Sequence, residues 1–212
     1  MLHTQVLQPS TLELLKSLQT KNYLDNFYLA GGTALALYYG HRVSIDIDIF
    51  SNTDFDTAGM LESIQQDYNI QLFFTAENTI KGSINSVNID IIAHKYPQLK
   101  EPIINDNLRL LSEPDILAMK LNAISISGQR SKDFIDIYYA LDHYNIRKII
   151  SFYQQKYSQQ GETHILKSLI YFKDADLSDW PVLIKNPGLK WSEVKERIEK
   201  AVFEFINSGI GE

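Results

Sequence analysis

Tyr28–Phe50 reads YLAGGTALALYYGHRVSIDIDIF. It parses as a strand, a Gly-Gly turn, a short helix closed by Gly40, a loop, and a second strand carrying two acids. Asp46 and Asp48 lie two residues apart among Ile45, Ile47, Ile49 and Phe50. Side chains on a strand alternate, so both carboxylates leave one face and the isoleucines are expected on the other, in a core. Burying either of two adjacent like charges is costly unless it is compensated. A hard divalent cation such as Mg²⁺ or Mn²⁺ supplies that compensation through carboxylate oxygens. Upstream, Gly31-Gly32-Thr33 offers a backbone without Cβ, amides at a helix start, and a hydroxyl. Together the two halves predict a site for a metal-bound nucleotide.

Working outward, Ser10-Thr11-Leu12-Glu13 has the form of a capping box and predicts an amphipathic helix over 10–21. Residues 22–26 are expected to turn, ahead of a short buried strand at 27–30. A helix follows Asp54-Phe55-Asp56 to about 67, then a strand over 70–76. Lys81-Gly82 is expected to turn before a further strand ending at Ala93. Residues 97–111, with Pro97 and Pro102, look irregular. Beyond them the pattern is helical: 113–125, 132–144 capped by Ser131, 147–157, 163–172, and a last helix capped by Ser192. That last helix carries Val194, Ile198, Ala201, Val202 and Phe205 on one stripe. Strands come before about residue 96 and helices after it, which is the order of an α+β fold. The expected domains are an α/β core over 1–112 and a helical region over 113–212.

The chain has 212 residues and can bury a sizeable core. A net charge of −6 argues against indiscriminate coating of nucleic acid, though not against a local basic patch. There is no cysteine, which excludes disulfides and thiolate metal sites and makes a reducing cytoplasm the expected setting. Neither a signal peptide nor a membrane span is expected.

Four further places hold candidate chemistry. Asp90 sits between Ile89 and Ile91, a third acid in an apolar strand; beside Asp46 and Asp48 it is taken as part of the same site rather than as a solvated residue. Lys120 has Ile116, Leu117, Ala123 and Ile124 at helical neighbour positions. Either its stem is buried with the ammonium in water, or it points inward to phosphates. Asp133 suits a helix start, and Asp136 shares its face a turn further in. One of them could orient Lys120 or an attacking hydroxyl. Arg130 and Lys132 could neutralise phosphate or be solvated charge. His41-Arg42 is expected as a solvated loop ahead of a phosphate contact, and Ser44 as a turn residue. His3, His94, His143 and His164 have no ligand-like spacing.

Gly31-Gly32-Thr33 followed by His41-Arg42-x-Ser44-x-Asp46-x-Asp48-x-Phe50 resembles the first motif of the AbiEii/AbiGii-toxin nucleotidyltransferase family, within the polymerase-β-like superfamily. Asp90 in IDII resembles the superfamily's third acid. Lys120 in MKLNAIS and Arg130-Ser131-Lys132-Asp133-Phe134-Ile135-Asp136 resemble the family's later motifs. The likeness covers about residues 27–141, with Thr33 standing where the superfamily usually has Ser. It implies a mixed-sheet core followed by a helical C-terminal region that contributes Lys120 and Asp133. It implies transfer of an NMP from an NTP to an acceptor hydroxyl, with release of pyrophosphate. Asp46, Asp48 and Asp90 would hold metal, Gly31, Gly32, Thr33 and Lys120 would hold the nucleotide, and Asp133 would set Lys120. Arg42, Ser44, Arg130, Lys132 and Asp136 are secondary candidates. It also implies a toxin with a cognate antitoxin and a tRNA acceptor. The residues alone leave open a small-molecule or protein acceptor, phosphoryl transfer, or a nucleotide-binding module without turnover.

Overall fold

A computed structural model of the chain describes residues 1–159 and 161–208. They divide into two units, the first made of 1–40 and 44–112, the second of 41–43 and 113 onward.

The first unit is built on one seven-stranded mixed sheet, as the α+β reading expects. Its strands are β1 (Tyr28–Leu29), β2 (Ile47–Ser51), β3 (Ile70–Ala76), β4 (Thr79–Ile84), β5 (Val87–Ala93), β6 (Ile103–Asn105) and β7 (Leu108–Leu110). They lie in the order β3-β4-β5-β2-β1-β7-β6. β2 runs parallel to β5 and β1 to β7; the remaining neighbours are antiparallel. One face of the central strands is the core: Leu29, Ile47, Ile49, Ile89 and Ile91 are buried. Each such side chain contributes about 1.5–3 kcal/mol by leaving water. Ile45 is different. It precedes β2, is 52% exposed, and does not join the core expected for it.

The helices of this unit are α1 (Pro9–Leu18), α2 (Gly31–Tyr39) and α3 (Thr57–Asp67). α1 starts one residue before the expected capping box. Pro9 takes the first helical position, where its missing N–H costs nothing, and Gln8 makes no side-chain cap. α2 closes on Gly40, whose φ of +66° is left-handed. Asp56 caps α3 by accepting from the Ala58 amide.

Two expectations fail in the sheet. Lys81-Gly82 is not a turn but the middle of β4. A Cβ on Gly82 would lie 2.6 Å from the Gln71 carbonyl, so the glycine serves close strand approach. The β4–β5 turn is Asn85-Ser86, both at positive φ (50° and 65°), as a two-residue hairpin requires. The 97–111 stretch is not wholly irregular either. Asp106-Asn107, at φ of 52° and 63°, joins β6 and β7 in the same way, so strands continue past residue 96.

The second unit is helical: α4 (Glu113–Ile126), α5 (Ser131–Ala140), α6 (Ile146–Tyr157), α7 (Thr163–Leu169) and α8 (Trp191–Ser208). Ser131 and Ser192 lie inside their helices rather than capping them; Arg130 holds the N-cap position of α5. Val194, Ile198, Val202 and Phe205 form the buried stripe of α8, while Ala201 at its edge is half-buried. Phe134, Phe172 and Trp191 pack edge-on or tilted, with centroids 5.3–5.7 Å apart. α4 and α6 are joined by a buried ion pair, Lys156 to Asp115 at 2.7 Å. Residues 41–43 belong to this unit because they pair with 182–184. The Val43 amide donates to Val182, and the Ile184 amide to His41.

Candidate active site

In the first unit the acids share the sheet face opposite the isoleucine core. Asp48 and Asp90 are register partners on parallel strands, so their side chains stand next to each other. Lys81, the register partner of Asp90 on β4, donates to its Oδ2 at 2.5 Å. Asp46, just before β2, accepts from the Asn88 side-chain amide at 3.1 Å. One strip of sheet thus carries three carboxylates, with Lys81 on one of them.

The glycine bend abuts this strip. β1 runs antiparallel to β2, and the Ala30 amide donates to the Asp48 carbonyl at 2.8 Å. The chain then turns at Gly31, with φ +64°, into α2. A Cβ there would lie 2.0 Å from Asp48 Oδ2, so no residue with a side chain fits without moving the carboxylate. The first amides of α2 have no partner in their own helix and favour an anion.

Thr33 is placed differently from what a phosphate-binding hydroxyl needs. It is buried, and its hydroxyl donates to the Asp46 carbonyl at 2.5 Å. With that proton used, the 2.8 Å contact to Ser44 has Ser44 as donor. Thr33 and Ser44 therefore pin the backbone that carries Asp46. Ser44 is a buried tie, more than a turn residue.

These residues fit a divalent cation. Mg²⁺ is commonly held by one or two carboxylates and completed by substrate phosphates and water. Adjacent Asp48 and Asp90, with room kept open by Gly31, give that donor set. Among the described residues no three acids or histidines form a ready metal cage.

The second unit holds a buried charge cluster. Asp136 of α5 accepts from Arg42 Nε at 2.8 Å, Arg42 Nη2 at 3.1 Å and His41 Nε2 at 2.8 Å. Lys120 of α4 sits 2.8 Å from Asp136 and 2.6 Å from Asp133. Arg42, Lys120, Asp133 and Asp136 sum to zero charge, which is how an interior tolerates four ions. Burial pushes the Asp136 carboxyl up, but Arg42, Lys120 and the bonds from His41 and Arg42 together hold it well below its ordinary value. Burial likewise pulls Lys120 down, and Asp133 and Asp136 more than restore it, leaving its pKa raised. For His41 burial prevails over Asp136, and the imidazole is held neutral, below its ordinary range.

Two expectations change here. His41-Arg42 is not a solvated loop: both side chains are buried and bound to Asp136. Lys120 does not snorkel, because its ammonium ends on two buried carboxylates. Lys132 is paired with Asp179, and Arg130 is exposed and lines a pocket together with Asp174 and Asp176. Partners that sequence did not suggest are Lys81, visible only once β4 pairs with β5, and Asn88, visible only once β5 pairs with β2.

A family model described as "Nucleotidyl transferase AbiEii toxin, Type IV TA system" matches residues 13–69 and 62–202. The uncharacterized protein aq_aa25 of Aquifex aeolicus (strain VF5) is 28% identical over 202 residues, covering 92% of this chain and 96% of that protein. The crystal structure of JHP933 from Helicobacter pylori superposes with a TM-score of 0.56 at 18% identity, covering 95% of this chain and 94% of that one. The last likeness is one of fold. Among the described residues no helix is long and apolar enough to cross a membrane.

Proposed function

The chain belongs to the AbiEii nucleotidyltransferase toxin family, and from that premise we propose that it moves an NMP from an NTP to an acceptor hydroxyl at the 3′ end of tRNA. The observation that carries this is the in-register pairing of Asp48 with Asp90 beside the Gly31 bend. Gly31 and Gly32 let the triphosphate approach the backbone and meet the α2 amides. Asp46, Asp48 and Asp90 would hold Mg²⁺ or Mn²⁺, which when bound offsets charge on the phosphates and lowers the pKa of the attacking hydroxyl. Asp90 would complete that metal site or, with Lys81 displaced from its Oδ2, instead take the hydroxyl proton. Thr33 acts through Asp46, by fixing its backbone. Lys120 offsets phosphate charge and Asp133 sets its ammonium. The 2.6 Å bond between them supports the second role, and the added carboxylate of Asp136 reduces the charge free for the first. Arg42 and Asp136 position Lys120 in turn, and Arg130 is the exposed cation of the group. The enzyme works in the cytoplasm, where a cysteine-free chain needs no oxidising compartment, and is restrained by a cognate antitoxin.

The test is incubation of the protein with Mg²⁺, total tRNA and each NTP labelled at the α-phosphate. Labelled tRNA, stoichiometric pyrophosphate and loss of both in Asp48→Asn are expected. No labelled RNA with any nucleotide would overturn the proposal, and label reaching RNA only from a parallel set of γ-labelled NTPs would make the enzyme a phosphotransferase.

A further inference from the structure

The acid-bearing face continues into aromatic rings. Beyond Asp48 the next side chain on that face of β2 is Phe50, and beyond Asp90 on β5 it is Ile92, its register partner. Phe50 lies 6.1 Å from the His94 ring at 34°, and His94 lies 4.8 Å from Tyr96 at 44°. Tyr96 is 44% exposed. Same-face neighbours on a parallel strand are about 6.6 Å apart, so the rings begin one such step from the carboxylates. One ring on β2 and two just past the end of β5, tilted against one another, offer flat area suited to a planar ligand.

The position of the glycine bend says which ligand. The register Tyr28 to Phe50 and Leu29 to Ile49 carries β1 past Asp48 before it turns at Gly31. The bend and Phe50 therefore lie on opposite sides of Asp48 along the strand. In phosphoryl transfer the attacking and leaving oxygens are roughly in line across the phosphorus. With the leaving pyrophosphate at the bend, the acceptor hydroxyl enters from the side of the rings. We propose that Phe50, His94 and Tyr96 form a stacking step for the terminal base of a nucleic-acid acceptor. This rests on the transfer to an RNA 3′ end argued above and deepens it, by naming the side chains that would hold the acceptor's terminal base.

The test compares two RNAs that differ only in carrying a normal or an abasic 3′-terminal nucleotide, using wild type, Tyr96→Ala, Tyr96→Trp and Phe50→Leu. Folding of each variant is checked by circular dichroism. Wild type should show a KM for the abasic RNA higher by about 5- to 150-fold, the range for loss of one base–aromatic stack. Tyr96→Ala and Phe50→Leu should raise the KM for intact RNA and lose discrimination, while Tyr96→Trp keeps it. Equal KM values for both RNAs in wild type, with Tyr96→Ala and Phe50→Leu unchanged, would overturn the stacking step and leave nucleotidyl transfer standing. Weakened NTP binding with an unchanged RNA KM would also overturn it, by giving the rings to the nucleotide. No transfer to either RNA removes the stacking step together with the activity it rests on.

Discussion

Asp136→Asn is the most informative single change in the second unit. Asp136 is wholly buried and meets Arg42 twice, His41 and Lys120, all within 3.1 Å. Asparagine keeps the shape and removes the charge, so Arg42, Lys120 and Asp133 are left with a net positive charge in the interior. Its amide N–H₂ also faces a donor where an oxygen had accepted. Breaking a buried pair from one side costs about 3–5 kcal/mol. At a urea m value of about 2–3 kcal/mol/M the midpoint should fall by roughly 1–2.5 M. The assay is urea unfolding at pH 7 followed by circular dichroism. Replacing both Arg42→Met and Asp136→Leu should recover much of the loss, because an apolar pair of similar size removes the stranded charge. The pH dependence checks the cause. A carboxylate held below its unfolded value of 3.8 contributes stability above that value and loses it as pH falls toward the folded one. The gap between wild type and Asp136→Asn should therefore be full at pH 7, begin to narrow near pH 3.8, and close only as pH falls to the folded value. A loss under about 1 kcal/mol at pH 7 would refute the assignment of a paired, desolvated ion.

Other outcomes follow from single residues. His41 is held neutral by burial, so the unfolded chain binds its proton more readily; stability should fall as pH drops below about 6.5, and His41→Gln should flatten that limb of a pH–melting series. Gly31→Ala should cost about 1–3 kcal/mol in urea unfolding from left-handed strain and also abolish transfer by displacing Asp48. Gly128→Ala, equally left-handed but with its nearest atom 3.5 Å away, should cost only the strain and leave transfer rates alone. Asp48→Asn should lower kcat on the order of a thousandfold, about 4 kcal/mol of transition-state stabilisation, in a labelled-nucleotide assay.

The acid strip was legible in the sequence because β2 alternates strictly: Asp48 between Ile47 and Ile49 admits one orientation. That Asp90 joins Asp46 and Asp48 was already expected from its own apolar strand; the register that sets it level with Asp48 was not legible, since 42 residues separate them and only strand pairing fixes it. The β6–β7 hairpin was obscured by Pro97 and Pro102, although Asp106-Asn107 between Ile104 and Leu108 carries a two-residue turn signal. Lys81-Gly82 misled for the opposite reason: glycine there answers a close backbone approach, which has no local signature. His41-Arg42 resembled a loop because its partner, Asp136, lies 94 residues beyond Arg42. Ile45 shows how a correct period still fails by one position at a strand's start.

The three-residue insertion of 41–43 into the helical unit constrains any dissection of the gene. Severing the chain between Ser112 and Glu113 yields a C-terminal fragment lacking Arg42 and His41, with Asp136 left to Lys120 alone and residues 182–184 deprived of their strand-like partner. Expressed by itself, that fragment should be recovered folded only when a peptide spanning His41–Val43 is supplied in trans.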